Sequence, residues 1–97
     1  MKAVFIIYNQ SITEEVQGIL DNLSIRGFTQ WNNITGRGTF KGDMHEGTHT
    51  WPELNNAHLT ILDDEKVNPL LESLEHLNKE SEAQGLRAFV WNIEKTI

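Results

Sequence analysis

The chain has 97 residues, of which 38% are hydrophobic and 23% charged, and this matches a single globular domain over residues 1–97. Its 14 acidic and 8 basic residues give a net charge of −6, which disfavours nucleic acid as a partner because phosphate binding needs an excess of lysine and arginine. Cysteine is absent, which excludes disulfides and thiol chemistry, and no apolar run approaches the roughly 20 residues of a membrane-spanning helix. We expect a cytoplasmic protein without membrane insertion.

The first third of the chain predicts a strand, a helix and a second strand. Residues 2–8 are β-branched and aromatic, which is typical of a strand. Ser11 and Glu14 have the spacing of a capping box and mark the start of a helix. The apolar residues that follow recur on one helical face: Ile12, Val16, Ile19, Leu20 and Leu23. After Gly27, residues 28–35 predict the second strand.

The middle of the chain predicts a long loop and then a third strand. Residues 36–56 hold four glycines, Pro52 and the pair Asn55–Asn56, all of which favour turns. Residues 57–63 predict the third strand.

A second helix lies within residues 64–83, and its start has two interpretations. With Asp64 as the N-cap, Pro69 lies one turn inside the helix, where its missing N–H costs a hydrogen bond. With Asn68 as the N-cap, Pro69 takes the first helical position, where proline is favoured. Residues 69–82 are helical in both cases.

Residues 86–94, which follow Gly85, predict the last strand, so the element order is β-α-β-β-α-β. This is the order of an α+β ferredoxin-like fold, a four-stranded antiparallel sheet with two helices on one face. Right-handed crossovers place the first and third strands at the centre. The first and last strands are apolar on both faces, so we expect another copy of the chain to cover the face without helices.

The charge is unevenly distributed along the chain. Residues 63–82 contain seven acids and two lysines, which is typical of a solvated helix face. The predicted loop starts basic, with Arg37 and Lys41 among its glycines. Backbone N–H groups of a glycine-rich turn bind anions well, so this segment favours an anionic ligand.

Four sequence motifs follow one another along the chain. The first helix leads into Gly27-Phe28-Thr29, and the next strand leads into G-R-G-T-F-K-G at residues 36–42. I-L-D-D-E-K-V begins at Ile61, and G-L-R-A-F-V occupies residues 85–90. Together these motifs resemble the PII signal-transduction family and its PII-like relatives. The similarity covers nearly the whole chain, and G-x-G-x-x-K-G is its most specific element.

The resemblance implies a trimer of ferredoxin-like subunits whose sheets face inward and whose clefts bind adenine nucleotides or other small effectors. By position, Gly36, Gly38, Lys41 and Gly42 match the family's glycine-rich start of the loop, Thr29 matches a threonine near its adenine site, and Arg87 matches a basic phosphate contact. Arg37 adds a further positive charge. In the family, the long loop contacts a protein such as a transporter or an enzyme.

The sequence also departs from the family pattern. It has one extra residue before Gly36, Thr39 replaces an arginine, and residues 81–85 replace the motif T-G-x-x-G-D-G. Residues 36–56 contain neither tyrosine nor serine, which excludes the family's modification chemistry on those side chains. The effector is therefore left open between an adenine nucleotide and another small anion.

Histidines support an alternative function. His45 and His49 are four residues apart, His58 follows, and histidine is a common ligand of zinc, nickel and copper. Gly47 disfavours the helix that would place the first two on one face. The alternative is a trimer that binds a divalent metal, similar to the CutA family.

Trp51, in the loop, either packs on its own subunit or anchors a partner protein. No catalytic constellation is evident, so we predict no enzyme activity. The leading hypothesis is a PII-like trimeric regulator whose effector acts on a partner through the loop at 36–56. A third hypothesis is a small-molecule-binding domain of the amino-acid-sensing kind, which would form dimers.

Overall fold

The structure is a computed structural model that describes residues 1–37, 44–45, 54–81 and 84–97, with the backbone alone at 44–45. In chain order the elements are β1 (Lys2–Asn9), a 3₁₀ turn (Gln10–Ile12), α1 (Thr13–Asn22), β2 (Thr29–Ile34), β3 (Gly36–Arg37), β4 (Met44–His45), β5 (Asn55–Leu62), α2 (Asp64–Glu80) and β6 (Arg87–Asn92). Within these described ranges, no helix is long and apolar enough to cross a membrane.

The main sheet is antiparallel and has the strand order β2-β5-β1-β6. β1 and β5 pair along their whole lengths at its centre, and β6 pairs with the other side of β1. This order confirms the predicted ferredoxin-like fold and the central position of the first and third predicted strands. Right-handed crossovers through α1 and α2 impose it.

The core lies between one face of the sheet and the two helices. Alternate residues of β1 and the apolar faces of both helices supply its fully or almost fully buried side chains: Val4, Ile6, Tyr8, Val16, Leu20, Leu70 and Leu74. The helical periodicity in the sequence therefore identified the correct buried faces.

The first helix does not begin with the predicted capping box. The Asn9 side chain accepts the Ser11 N–H at 2.8 Å and so caps the 3₁₀ turn that precedes α1. The Ser11 hydroxyl instead donates to Gln84 Oε1 at 2.7 Å. Asparagine caps as well as serine does, and Asn9 stands where β1 ends and the chain must turn.

Neither predicted cap of the second helix is correct. α2 begins at Asp64, with Asp63 as its N-cap, and Pro69 lies inside the helix. A start at Asn68 would leave Val67 outside the helix, whereas the observed start buries Val67 to 6% exposure. This apolar burial compensates for the single backbone bond that proline removes.

The predicted loop at 36–56 contains strand structure at both ends. β3 and β4 pair as a two-stranded ribbon, and β5 begins at Asn55 rather than at residue 57. Asn55 and Asn56 favour turns by composition, but both side chains are buried in the sheet, where hydrogen bonds satisfy the Asn56 amide.

The second face of the sheet carries no helix and is apolar, as the sequence predicted. The register places Phe89 beside Phe5, whose ring centroid lies 6.3 Å from that of Trp31. Large side chains on this open face are between 42% and 55% exposed: Trp31, Ile61, Phe89 and Trp91. Such a patch is characteristic of a surface that another molecule covers.

Candidate functional site

A surface cleft of about 240 Å³ opens where α1 leads into β2 and β5 leads into α2. Both connections form its wall: Met1, Ser24, Ile25, Arg26, Gly27, Ile61, Leu62, Asp63 and Lys66. Thr29, the predicted adenine-site residue, follows Gly27 closely on β2. None of the predicted ligand residues that the structure describes lines the cleft, and Thr29, two residues beyond Gly27, lies beside it.

The end of α1 shapes one wall of the cleft. Ser24 has a left-handed φ of 57°, and the Ile25 N–H bonds the Leu20 carbonyl at 2.9 Å, as in a Schellman motif. From α2, Lys66 Nζ lies 3.1 Å from the Leu23 carbonyl and 3.4 Å from the Ser24 carbonyl. These bonds join the two helices and fix this wall.

The start of β2 is anchored from inside the protein. The Thr60 hydroxyl, on a residue that is 1% exposed, donates to the Gly27 carbonyl at 2.7 Å. Thr29, the first residue of β2, pairs with Leu59 and is exposed at the sheet edge. Thr60 thus holds the strand from which Thr29 can contact a ligand.

The cleft carries charges of both signs. The Met1 amine donates to Asp64 Oδ1 at 2.7 Å, and this bond, together with the charge of Lys2, holds the pKa of Asp64 below its ordinary value. In the wall itself, Arg26 attracts an anionic group, whereas Asp63 accepts hydrogen bonds from amino or hydroxyl groups. The arrangement suits a ligand with both anionic and donor groups.

The start of the predicted loop follows the other end of β2: Ile34 pairs with Asn55, whereas the cleft lies beside Ile61 and Leu62, at the far end of β5. A Cβ on Gly36 would lie 2.8 Å from Asn55 Nδ2, so a side chain at this position would force Asn55 to move. Arg37 is exposed on β3, and the backbone of His45 pairs with Gly36 across the ribbon. The predicted ligand residues Gly38, Lys41 and Gly42, the predicted metal ligand His49 and the predicted partner contact Trp51 lie outside the described residues.

Arg87 lies at the opposite edge of the sheet from Thr29. Three strand spacings separate the backbones of β2 and β6 by about 14 Å. Arg87 lines a separate groove of about 280 Å³ between β6 and α2, and its Nη1 donates to the Leu86 carbonyl at 2.7 Å. A single chain therefore does not bring Arg87 together with Thr29 and Gly36.

His58 is a core residue. Its side chain is fully buried, Nε2 lies 2.6 Å from the Tyr8 hydroxyl oxygen, and its ring meets that of Phe28 at a centroid distance of 4.9 Å. Burial lowers the pKa of His58 and raises that of Tyr8 to about 12. Metal binding at His58 would have to break this bond inside the core, so the geometry disfavours His58 as a metal ligand.

Metal binding by His45 and His49 stays a prediction. Across the part of the chain that the structure describes, no three side chains of the histidine, cysteine, aspartate or glutamate type are grouped as a metal site would need.

Sequence reasoning missed the residues that build the cleft from inside. Alternation along the third strand places Thr60 and His58 on the same face as Leu62, and this pattern pointed to an inward Thr60. Lys66 and Ser24 had no such signal, because their contacts join helices that are distant in the sequence.

Comparisons with known proteins find relatives of the whole chain. The family model for nitrogen regulatory protein P-II matches residues 1–97. Among solved structures, CPII from Thiomonas intermedia K12 bound to ADP and bicarbonate is 27% identical with a TM-score of 0.76, covering 95% of this chain and 84% of that chain. CPII bound to ADP, AMP and bicarbonate is 26% identical with a TM-score of 0.77 over the same shares. The apo form of CPII, at 23% identity and a TM-score of 0.71 over 95% and 87%, shares the fold. No curated protein matches the chain significantly.

Proposed function

Because the chain belongs to the nitrogen regulatory protein P-II family, we propose that it is a PII-like trimeric regulator that binds a small anionic effector between its subunits. One observation carries the proposal: the predicted ligand residues lie at opposite edges of the sheet. Thr29, Gly36 and Arg37 belong to the β2 edge, and Arg87 belongs to the β6 edge. The proposed role is regulatory and includes no catalytic step.

A closed ring of three subunits joins these two edges. In a cyclic assembly, the β2 edge of one subunit meets the β6 edge of the next. The open face with Trp31, Phe89 and Trp91 is then covered inside the ring. Each completed cleft combines the wall beside Gly27 with Arg87 of the partner subunit.

The cleft chemistry suits an adenine nucleotide accompanied by a small anion. Ile61 and Leu62 offer apolar surface to a base, and Asp63 accepts from its amino group or from ribose hydroxyls. Arg87 supplies positive charge in a geometry that matches phosphate or carboxylate oxygens in pairs. CPII, which was solved with ADP and bicarbonate, supports this ligand class.

Effector binding acts on a partner protein through the loop at 36–56. A ligand shifts a conformational equilibrium only through contacts that differ between the two states. Lys41 is our candidate for such a contact, and Trp51 is our candidate for the contact with a partner such as a transporter or enzyme. The Lys41→Ala variant should bind the effector more weakly, and an unchanged affinity would remove Lys41 from this role.

Native mass spectrometry and calorimetric titration with ADP, with and without bicarbonate, test the proposal. We expect mass spectrometry to show a trimer and the titration to show ADP binding. In thermal unfolding, the melting temperature should rise with ADP, because a ligand that binds the native state stabilises it. Arg37→Ala and Arg87→Ala should each weaken ADP binding. The matched control is Lys79→Ala, which removes a basic residue from the exposed face of α2.

Mixing the Arg37→Ala and Arg87→Ala variants tests directly whether two subunits share one binding site. A mixed trimer of Arg37→Ala and Arg87→Ala subunits contains one cleft in which both edges are intact, so co-assembly should restore part of the ADP binding. A site formed within one chain would gain nothing from mixing. A trimer stabilised only by zinc, copper or nickel would favour the metal-binding alternative.

A further inference from the structure

Between two of its paired positions, Trp31 and Ile34, β2 contains one residue more than the facing stretch of β5. The β2–β5 register shifts between Trp31 and Ile34, so Asn32 and Asn33 lie opposite the single residue Asn56. This is a β-bulge, a feature that bends a strand and redirects the side chains after it.

Asn33 makes the bulge possible. Its φ is 57°, in the left-handed region, which asparagine tolerates better than most residues with a side chain. Its N–H donates to Asn56 Oδ1 at 2.9 Å rather than to a backbone carbonyl. The backbone donor that the bulge frees is therefore satisfied by the Asn56 side chain.

Asn56 is in turn fixed from its other end. Its side chain is almost fully buried, and Nδ2 donates to Thr13 Oγ1 at 2.8 Å. The Thr13 hydroxyl donates to the Gln10 carbonyl at 2.6 Å. A flipped Asn56 amide would place a donor against the Asn33 N–H, so the two bonds allow one orientation and tie the bulge to the start of α1.

The bulge decides how the chain leaves the sheet. Because side chains alternate along a strand, a change of one residue in register moves every later side chain to the other face. Gly36 follows the bulge and lies against Asn55 at a place where a Cβ would be 2.8 Å from Nδ2. The bulge therefore accommodates one residue more between Trp31 and Gly36 than a regular pairing would.

We propose that Asn33 and Asn56 are positioning residues for the effector site: they hold a bulge in β2 that sets the phase in which Gly36 and Arg37 leave the β2 edge of the sheet. The inference rests on the proposed function for its ligand. Its structural part can be tested without a ligand. Asn56 acts through the backbone of Asn33, and its role is to orient residues that follow.

Deletion of Asn33 tests the proposal. The deletion removes the extra residue and leaves Ile34 opposite Asn55, so we expect the wild-type affinity for ADP to persist. In the full chain, Asn56→Ala should weaken ADP binding by about 5- to 150-fold, the range of typical coupling between sites. In the Asn33-deletion background, Asn56→Ala should leave ADP affinity unchanged. A merely structural role for Asn56 would not produce this rescue.

Two controls separate the bulge from general damage to β2. Deletion of Thr35, which lies beyond the bulge, shortens the chain equally but moves Gly36 by one position, so ADP binding should be lost. Asn33→Gly should keep wild-type affinity because glycine adopts the left-handed region freely, whereas Asn33→Val should not. These substitutions keep the proposal testable if a deletion variant fails to fold.

An equal loss of affinity on Asn56→Ala in both backgrounds would overturn the inference. So would an Asn33 deletion that abolishes ADP binding while the Thr35 deletion does not. If the wild-type protein binds no ADP, the adenine nucleotide is excluded as its effector, but hydrogen exchange at the Gly36 and Arg37 amides still decides the inference. Their protection should fall in Asn56→Ala and return when Asn33 is also deleted.

Discussion

The Tyr8 hydroxyl and His58 Nε2 form a 2.6 Å hydrogen bond inside the core, on adjacent central strands of the sheet. The two rings lie almost parallel, with centroids 5.6 Å apart. The second ring nitrogen of His58, Nδ1, is buried and has no hydrogen-bond partner within the described residues. The pair is therefore a buried polar unit in which each member depends on the other.

Tyr8→Phe should lower the free energy of unfolding by about 1–3 kcal/mol, because it leaves His58 Nε2 buried without a partner. Adding His58→Leu should recover much of this loss, since replacing both partners by apolar groups removes the unsatisfied atoms. Urea unfolding of the two variants measures both effects. A double variant that is less stable than Tyr8→Phe alone would contradict this account of the pair.

Stability should depend on His58 below neutral pH. Burial depresses the pKa of His58 from its ordinary value of 6.5, so below that pH the unfolded chain binds a proton that the native state refuses. The stabilisation is present above about pH 6.5 and is lost as the pH falls toward the lower native pKa, by up to about 1.4 kcal/mol per pH unit.

Unfolding of the wild type and of the Tyr8→Phe/His58→Leu variant across pH 5–8 would isolate this contribution. The double variant should show a weaker loss of stability on acidification. His76→Gln is the matched control, because the His76 side chain is 77% exposed and should contribute little. Identical pH profiles for wild type and double variant would exclude His58 as the source.

Phe89→Glu should prevent assembly. Phe89 is 55% exposed on the open face, and a carboxylate buried there without a partner would cost several kcal/mol, which weakens association by about a hundredfold or more. Native mass spectrometry measures the trimer fraction. Asn68→Glu adds the same charge to the exposed side of α2 and should leave the trimer intact; equal dissociation of both variants would argue against the open face as the interface.

Thr60→Val should weaken both the fold and the cleft. The change leaves the Gly27 carbonyl without its 2.7 Å partner, at an expected cost of about 1 kcal/mol in the free energy of unfolding. ADP affinity should fall as well, because β2 is no longer anchored beside the cleft. The control is Thr96→Val at the exposed end of the chain, and an unchanged ADP affinity in Thr60→Val would show that this anchor does not shape the site.

The candidate site could be predicted only in part. Motifs predict Thr29, Gly36 and Arg87 as ligand residues, which stays a prediction, and the predicted strand order already implied that Arg87 would occupy the far edge. The cleft wall was not identified, because Lys66 contacts the end of α1 only after both helices pack on the sheet. The metal-binding prediction groups His58 with His45 and His49 by residue type and proximity in the sequence, although the predicted third strand at residues 57–63 already contains His58.

The element order, the strand arrangement and the apolar open face follow from the sequence alone, because periodicity, strand composition and crossover handedness act over neighbouring residues. Three features became visible only in the folded chain: Asn9 caps the first turn, Asn56 lies inside the sheet and supports the bulge at Asn33, and His58 meets Tyr8. One cause explains why the contacts of the two buried side chains, Asn56 and His58, could not be predicted. A polar group is stable inside a protein only where a hydrogen-bond partner meets it, and for Asn56 and His58 that partner comes from a distant part of the chain.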